Sequence, residues 1–91
     1  MNETPRIRLY GTEHCGYCLA ARMLLKKKGL EFEDIPVGGD PALRRQMQER
    51  SGGRTVPQIF IDDAPIGGFD ELCALDKSGE LDRMLGIGEC A

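Results

Sequence analysis

Residues 6–18 read Arg6-Ile7-Arg8-Leu9-Tyr10-Gly11-Thr12-Glu13-His14-Cys15-Gly16-Tyr17-Cys18, and a change of rhythm inside this stretch decides the fold. Arg6 to Tyr10 alternate polar and apolar, as a half-buried strand does. Gly11 to His14 have turn composition, and from Leu19 onward apolar positions recur at helical spacing. Cys15 and Cys18 therefore fall at a helix N-terminus, three residues apart and on the same side of the first turn.

The first amides of a helix have no internal partner and, with the macrodipole, favour negative charge. A thiolate is such a charge. A free cysteine has a pKa of about 8.5, and helix N-termini and CxxC motifs bring it to roughly 3.5–7.5. Ionisation alone adds little to the rate of attack. A drop of about three units raises the thiolate fraction some 30-fold, while a Brønsted slope of about 0.45 removes roughly 20-fold in nucleophilicity. The larger gain is as a leaving group from a mixed disulfide, so turnover benefits and selectivity has to come from binding.

Working outward, the first helix is expected from about Gly16 to Lys28, with Leu19, Met23 and Leu24-Leu25 as its buried stripe and Gly29 as its stop. Leu30 to Ile35 reads as a second strand, ended by Pro36 and Gly38-Gly39, which completes a parallel strand–helix–strand unit. Asp40-Pro41 is an N-cap followed by proline at the first helical position; Leu43 and Met47 continue that helix until Gly52-Gly53. Val56 to Ile61 is an almost continuous apolar strand, Asp62-Asp63 a turn, and Ala64 to Ile66 a short edge strand marked by Pro65. Two short helices, about Asp70 to Lys77 and Glu80 to Leu85, close the pattern, with Gly79 and Gly86 as punctuation. This order, βαβαββαα, predicts an α/β thioredoxin-like fold: a four-stranded mixed sheet flanked by helices, with the cysteine pair at the carboxyl end of a strand.

The chain of 91 residues carries 12 basic and 15 acidic side chains, a net charge of only −3, and is expected to form a single domain over 1–91. Lys26-Lys27-Lys28 lies at a helix C-terminus, where cations complement the dipole, so it reads as a solvated face and not as a nucleic-acid or membrane patch. Nothing at the N-terminus reads as a signal peptide and no apolar run approaches a membrane span. The expectation is a cytoplasmic protein with no nucleic-acid or membrane partner. Four cysteines also allow a secreted disulfide framework, but their spacing is irregular apart from the single CxxC. Cys73, Cys90 and His14 are the remaining soft ligands, and they show no zinc spacing. Cys73 is expected to pack on the apolar side of its helix, and Cys90 to sit in the tail.

Cys15-Gly16-Tyr17-Cys18, the run Arg54-Thr55-Val56-Pro57 and the run Ile66-Gly67-Gly68-Phe69-Asp70, in this order and spacing, resemble a dithiol glutaredoxin over nearly the whole chain. The resemblance implies a glutathione-dependent thiol–disulfide oxidoreductase with glutathione as co-substrate and glutathionylated or disulfide-bonded proteins as partners. It assigns Cys15 as nucleophile and Cys18 as resolving thiol. It implies a cis Val56–Pro57 bond, with Val56 pairing its main chain to the cysteinyl unit of glutathione. Tyr17, Thr55 and Pro57 join that wall. Gly68, Phe69 and Asp70 would meet the γ-glutamyl end, and Arg44 the glycyl carboxylate.

Two positions depart from the family. Thr12 stands where lysine is common, which removes a charge from the glutathione clamp and turns attention to Arg44, Arg54 and His14. Gly16 stands where proline is commoner, and some members with glycine at this place hold a two-iron two-sulfur cluster between two protomers through the first cysteine and glutathione. A cluster-binding dimer with Cys15 as ligand is therefore one alternative to a monomeric enzyme. A redoxin recharged by thioredoxin reductase is the other, and Gly68-Phe69-Asp70 argues against it.

Overall fold

The alternation of the first strand is what organises the sheet. In the computed structural model, which describes residues 6–86, β1 (Ile7–Gly11) sends Ile7 and Leu9 to one face and Tyr10 to the other, all buried. β1 pairs in parallel with β2 (Phe32–Pro36), Ile7 opposite Phe32. On its other side it pairs antiparallel with β3 (Gln58–Ile61), Leu9 opposite Ile59. β4 (Ala64–Gly67) closes the sheet antiparallel to β3, giving the order β2-β1-β3-β4. Asp62 and Asp63 both have positive φ, 52° and 68°, the two-residue primed turn that matches strand twist.

Four helices cover the two faces. Against Ile7, Leu9, Ile59 and Ile61 pack Ala21 and Leu25 of α1 (Gly16–Lys27), Leu72 of α3 (Phe69–Ser78) and Leu81 of α4 (Glu80–Leu85). Against Tyr10 and Phe60, whose rings meet edge-on at 5.4 Å, pack Met47 of α2 (Pro41–Ser51) and Val37, which follows β2. As expected, the Asp40 carboxylate caps α2, accepting from the Leu43 amide at 3.1 Å, and Gly52 ends it in the left-handed region.

Several expectations are corrected. The buried stripe of α1 is Cys18, Ala21 and Leu25, whereas Leu19 and Met23 are 55% and 60% exposed. Small residues face the sheet because the helix lies close upon it. Lys28 is no solvated cation: its Nζ bridges Asp76 at 2.8 Å and Asp82 at 3.1 Å, tying the end of α1 to α3 and α4. β3 begins at Gln58 and not at Val56, since Pro57 has no N–H for the ladder and Val56–Pro57 is cis. β2 starts two residues later than expected, at Phe32, and ends on Pro36, a proline tolerated on an edge strand. α3 starts one residue earlier than expected, at Phe69, with Gly68 as its N-cap. Cys73 is half-buried, and Cys90 lies outside the described residues.

The corrected stripe has a direct test. Leu25→Ala is expected to cost about 2–5 kcal/mol in a denaturant titration, and Met23→Ala about 0.5 kcal/mol or less. Equal losses would contradict the orientation of α1.

Candidate active site

Cys15 occupies the N-cap of α1 with extended backbone (φ −101°, ψ 119°), and its sulfur does what a serine or aspartate oxygen does elsewhere. It accepts the Cys18 amide at 3.3 Å. As a thiol it also lies 3.7 Å from the Val56 carbonyl, to which it donates. Cys15 is half-buried, Cys18 is fully buried beneath it, and both are free thiols.

The pair is electrostatically asymmetric. Burial works against ionisation of Cys15, but the Cys18 thiol, the amides of Cys18 and Tyr17, and the charge of Arg22 together outweigh it, and Cys15 is held below the ordinary cysteine range. Cys18 is pushed up to about 11 by burial, then by its hydrogen bond to Cys15 and the negative charge there, against the opposing pull of the Thr12 amide and Arg22. One sulfur is prepared as an anion and the other as a proton donor to it.

Arg22 is the residue that sequence reasoning missed. Its side chain is only 16% exposed, its Nη2 donates to the Thr12 carbonyl at 3.2 Å, and its Nε lies 3.0 Å from Asp34 Oδ2 on β2. A Cβ placed on Gly11 would stand 2.9 Å from Cys18 Sγ and 3.2 Å from Arg22 Nη2, so the bare glycine is what lets both approach the end of β1. The available signal was spacing: Arg22 is four residues after Cys18 and so on the same helix face. Where Thr12 removes a cation from the surface, α1 supplies one from beneath.

Beside Cys15 opens a cleft of about 700 Å³. Tyr17, Thr55, Val56 and Pro57 line it on one side and Gly68, Phe69 and Asp70 on the other, so seven of the eight expected binding residues come together. Arg44 does not line it; its Nη1 donates to the Arg54 carbonyl at 3.4 Å. Val56 lies outside both ladders of β3, leaving its main chain without a strand partner. A Cβ on Gly68 would sit 3.2 Å from the Pro57 carbonyl, so glycine permits the close crossing of the two walls. The Gly68 amide is taken by Glu71 Oε1 at 2.8 Å, a capping contact readable from glutamate three residues after the cap. Phe69 and Asp70 are the first two residues of α3, whose amides have no helical acceptor. Ser51, Gln58 and Glu71 also line the cleft and were not anticipated.

Residues 7–66 match the family model described as Glutaredoxin. Glutaredoxin 3 of Escherichia coli strain K12 is 49% identical over 79 residues, covering 87% of this chain and 95% of that protein. The chain belongs to the glutaredoxin family. A glutaredoxin of Pseudomonas aeruginosa is 42% identical over 81 residues, covering 89% of this chain and 96% of that one. The solution structure of the Brucella melitensis glutaredoxin superposes with a TM-score of 0.79 at 42% identity, over 99% and 98% of the two chains. The crystal structure of a buckwheat glutaredoxin–glutathione complex superposes with a TM-score of 0.82 at 27% identity, over 90% of this chain and 77% of that one. As a glutaredoxin, the chain is a glutathione-dependent dithiol thiol–disulfide oxidoreductase with a thioredoxin-like fold. Among the described residues no helix is long and apolar enough to cross a membrane.

Arg22→Gln removes a charge that favours the Cys15 thiolate, so the pH midpoint of iodoacetamide alkylation at Cys15, followed by peptide mass spectrometry, is expected to rise. An unmoved or lowered midpoint would exclude Arg22 from tuning the sulfur.

Proposed function

We propose that Cys15 is the nucleophile and Cys18 the resolving thiol in the reduction of glutathionylated and disulfide-bonded proteins. The observation that carries this reading is the Cys15 sulfur, which accepts the Cys18 amide at the start of α1 and lies 3.7 Å from the carbonyl of Val56, a residue that lines the cleft. In the monothiol route the Cys15 thiolate attacks the glutathione sulfur of a mixed disulfide. The protein leaves as a thiolate and Cys15 becomes glutathionylated. A second glutathione thiolate then attacks the bound glutathione sulfur, forming glutathione disulfide and restoring Cys15.

In the dithiol route Cys15 attacks a protein disulfide, and Cys18 attacks the Cys15 sulfur of the resulting mixed disulfide. The protein leaves as its reduced dithiol and the Cys15–Cys18 bridge closes, to be reopened by two glutathione molecules. The asymmetry of the pair suits this sequence. Two influences that raise Cys18, the hydrogen bond to Cys15 and the negative charge there, vanish once Cys15 is capped. The first step thus makes the second thiol easier to ionise.

Within the cleft, Val56 pairs its main chain with the cysteinyl unit, Tyr17, Thr55 and Pro57 form the neighbouring wall, and Gly68 permits close approach. The Phe69 and Asp70 amides receive the γ-glutamyl carboxylate, and the Asp70 carboxylate receives the adjacent ammonium. Arg44 is the cation proposed for the glycyl carboxylate. The buckwheat relative's complex with glutathione supports this ligand. The chain is proposed to act over residues 1–91 as a single domain, monomeric and cytoplasmic.

One observation favours a second reading. A Cβ on Gly16 would meet nothing within 4 Å outside its own helix and chain neighbours, so this flank of half-buried Cys15 is open, and it is there that a two-iron two-sulfur cluster shared with a second copy is proposed to sit. Cys15 would be its ligand from this chain, with glutathione as the other. When bound, such a group supplies iron and sulfide for transfer. Anaerobic reconstitution with glutathione is expected to give a brown dimer under this reading, and a colourless monomer would reject it.

With a glutathionylated peptide as substrate, Cys15→Ser is expected to abolish turnover, while Cys18→Ser retains it and loses only the reduction of protein disulfides. A Cys18→Ser protein inactive on both would overturn these roles. Asp70→Asn is expected to raise the KM for glutathione about ten-fold or more, the worth of one charge-assisted hydrogen bond. An unchanged KM would remove Asp70 from the cleft's recognition set.

A further inference from the structure

Phe69 walls the glutathione cleft on one side and a second cavity on the other. That cavity, about 830 Å³, lies between α1 and α3 over a floor of Ala20, Met23, Leu24 and Phe69. Tyr17, Ala20, Leu24 and Lys27 follow one another at helical spacing, so a single stripe of α1 runs from the cleft into this groove. Tyr17 is 65% exposed and Met23 60%, both large apolar side chains facing solvent. The Tyr17 and Phe69 rings meet with centroids 6.1 Å apart at the divide.

Lys27, Lys28 and Asp76 line the far end of the groove. Lys28 is satisfied by Asp76 and Asp82, but Lys27, which lines the same end, is exposed and has no ion-pair partner among the described residues. Glutathione seated in the cleft fills one side of Phe69, so the polypeptide joined to it through the disulfide has to emerge elsewhere, and the groove begins on the other side of Phe69.

We infer that the α1–α3 groove docks the polypeptide of a glutathionylated client, through an extended segment carrying a large apolar residue and, beyond it, an acidic one. The inference rests on the thiol–disulfide reading above and deepens it. Helix rise sets the spacing. From Cys15 to Met23 is roughly 12 Å and to Lys27 roughly 18 Å along α1 at about 1.5 Å per residue. An extended chain advances about 3.3 Å per residue, which puts the apolar side chain about four residues from the client cysteine and the acidic one about six.

The test uses glutathionylated peptides with Leu four and Glu six residues from the cysteine, and matched peptides with Ser and Lys there. Each pair is made on the N-terminal and on the C-terminal side. The mixed disulfide of free cysteine with glutathione serves as the small substrate. The wild-type chain is expected to favour the Leu/Glu peptide about ten-fold in kcat/KM on one of the two sides. Met23→Ser is expected to remove the preference for Leu, and Lys27→Glu to reverse the preference at the acidic position, both leaving turnover of the small disulfide within about two-fold of wild type. A wild-type ratio near one on both sides, or variants that keep the preference, would overturn the groove while leaving the chemistry intact. Loss of turnover on the small disulfide by the wild-type chain would overturn the underlying reading and the groove with it.

Discussion

A helix that starts on a sulfur leaves its first amides a partner that changes charge. At Cys15 the N-cap acceptor is the very sulfur proposed to react, so the hydrogen bond that begins α1 is one that steadies a thiolate. Everything else in the molecule places that bond. β1 delivers the chain to the helix, Gly11 lets the helix come close to the strand end, and the buried face of Cys18, Ala21 and Leu25 presses α1 against the sheet. The lining of the cleft then gathers at the same end, from the segment ahead of β3 and from the start of α3.

The two thiols share an environment and yet diverge because burial weighs on them unequally. Cys15 keeps contact with solvent and collects donors, while Cys18 is enclosed and gives its own proton toward its neighbour. Arg22 underlies both, held between the Thr12 carbonyl and Asp34. Its cationic field reaches the sulfurs from within the protein, where water screens it less than it would a surface lysine.

Much of this arrangement was legible in the chain. Asp40-Pro41 announces α2 through cap and proline chemistry, Asp62-Asp63 announces a hairpin, and the cysteine pair sits where strand rhythm yields to helix rhythm. What escaped were choices that tertiary packing makes between equivalent local patterns. Two stripes on α1 have helical spacing, and counting hydrophobicity favoured Leu19 and Met23 over Cys18 and Ala21. The sheet admits the smaller set. The start of β3 was misjudged because apolar Val56-Pro57 reads as strand, although proline brings no donor to the ladder. Arg22 and Lys28 are charges whose partners lie far along the chain, on β2 and on α3 and α4. No local pattern reveals such partners.

Gly16 sits next to Cys15, at the first position of α1, and a Cβ there would meet nothing within 4 Å outside its own helix and chain neighbours. Residues that govern the core are locked by their neighbours; this one is not. Evolution, or an engineer, can therefore exchange it freely and retune reactivity at the helix tip without disturbing the foundations, so that chemical temperament and structural soundness are inherited separately.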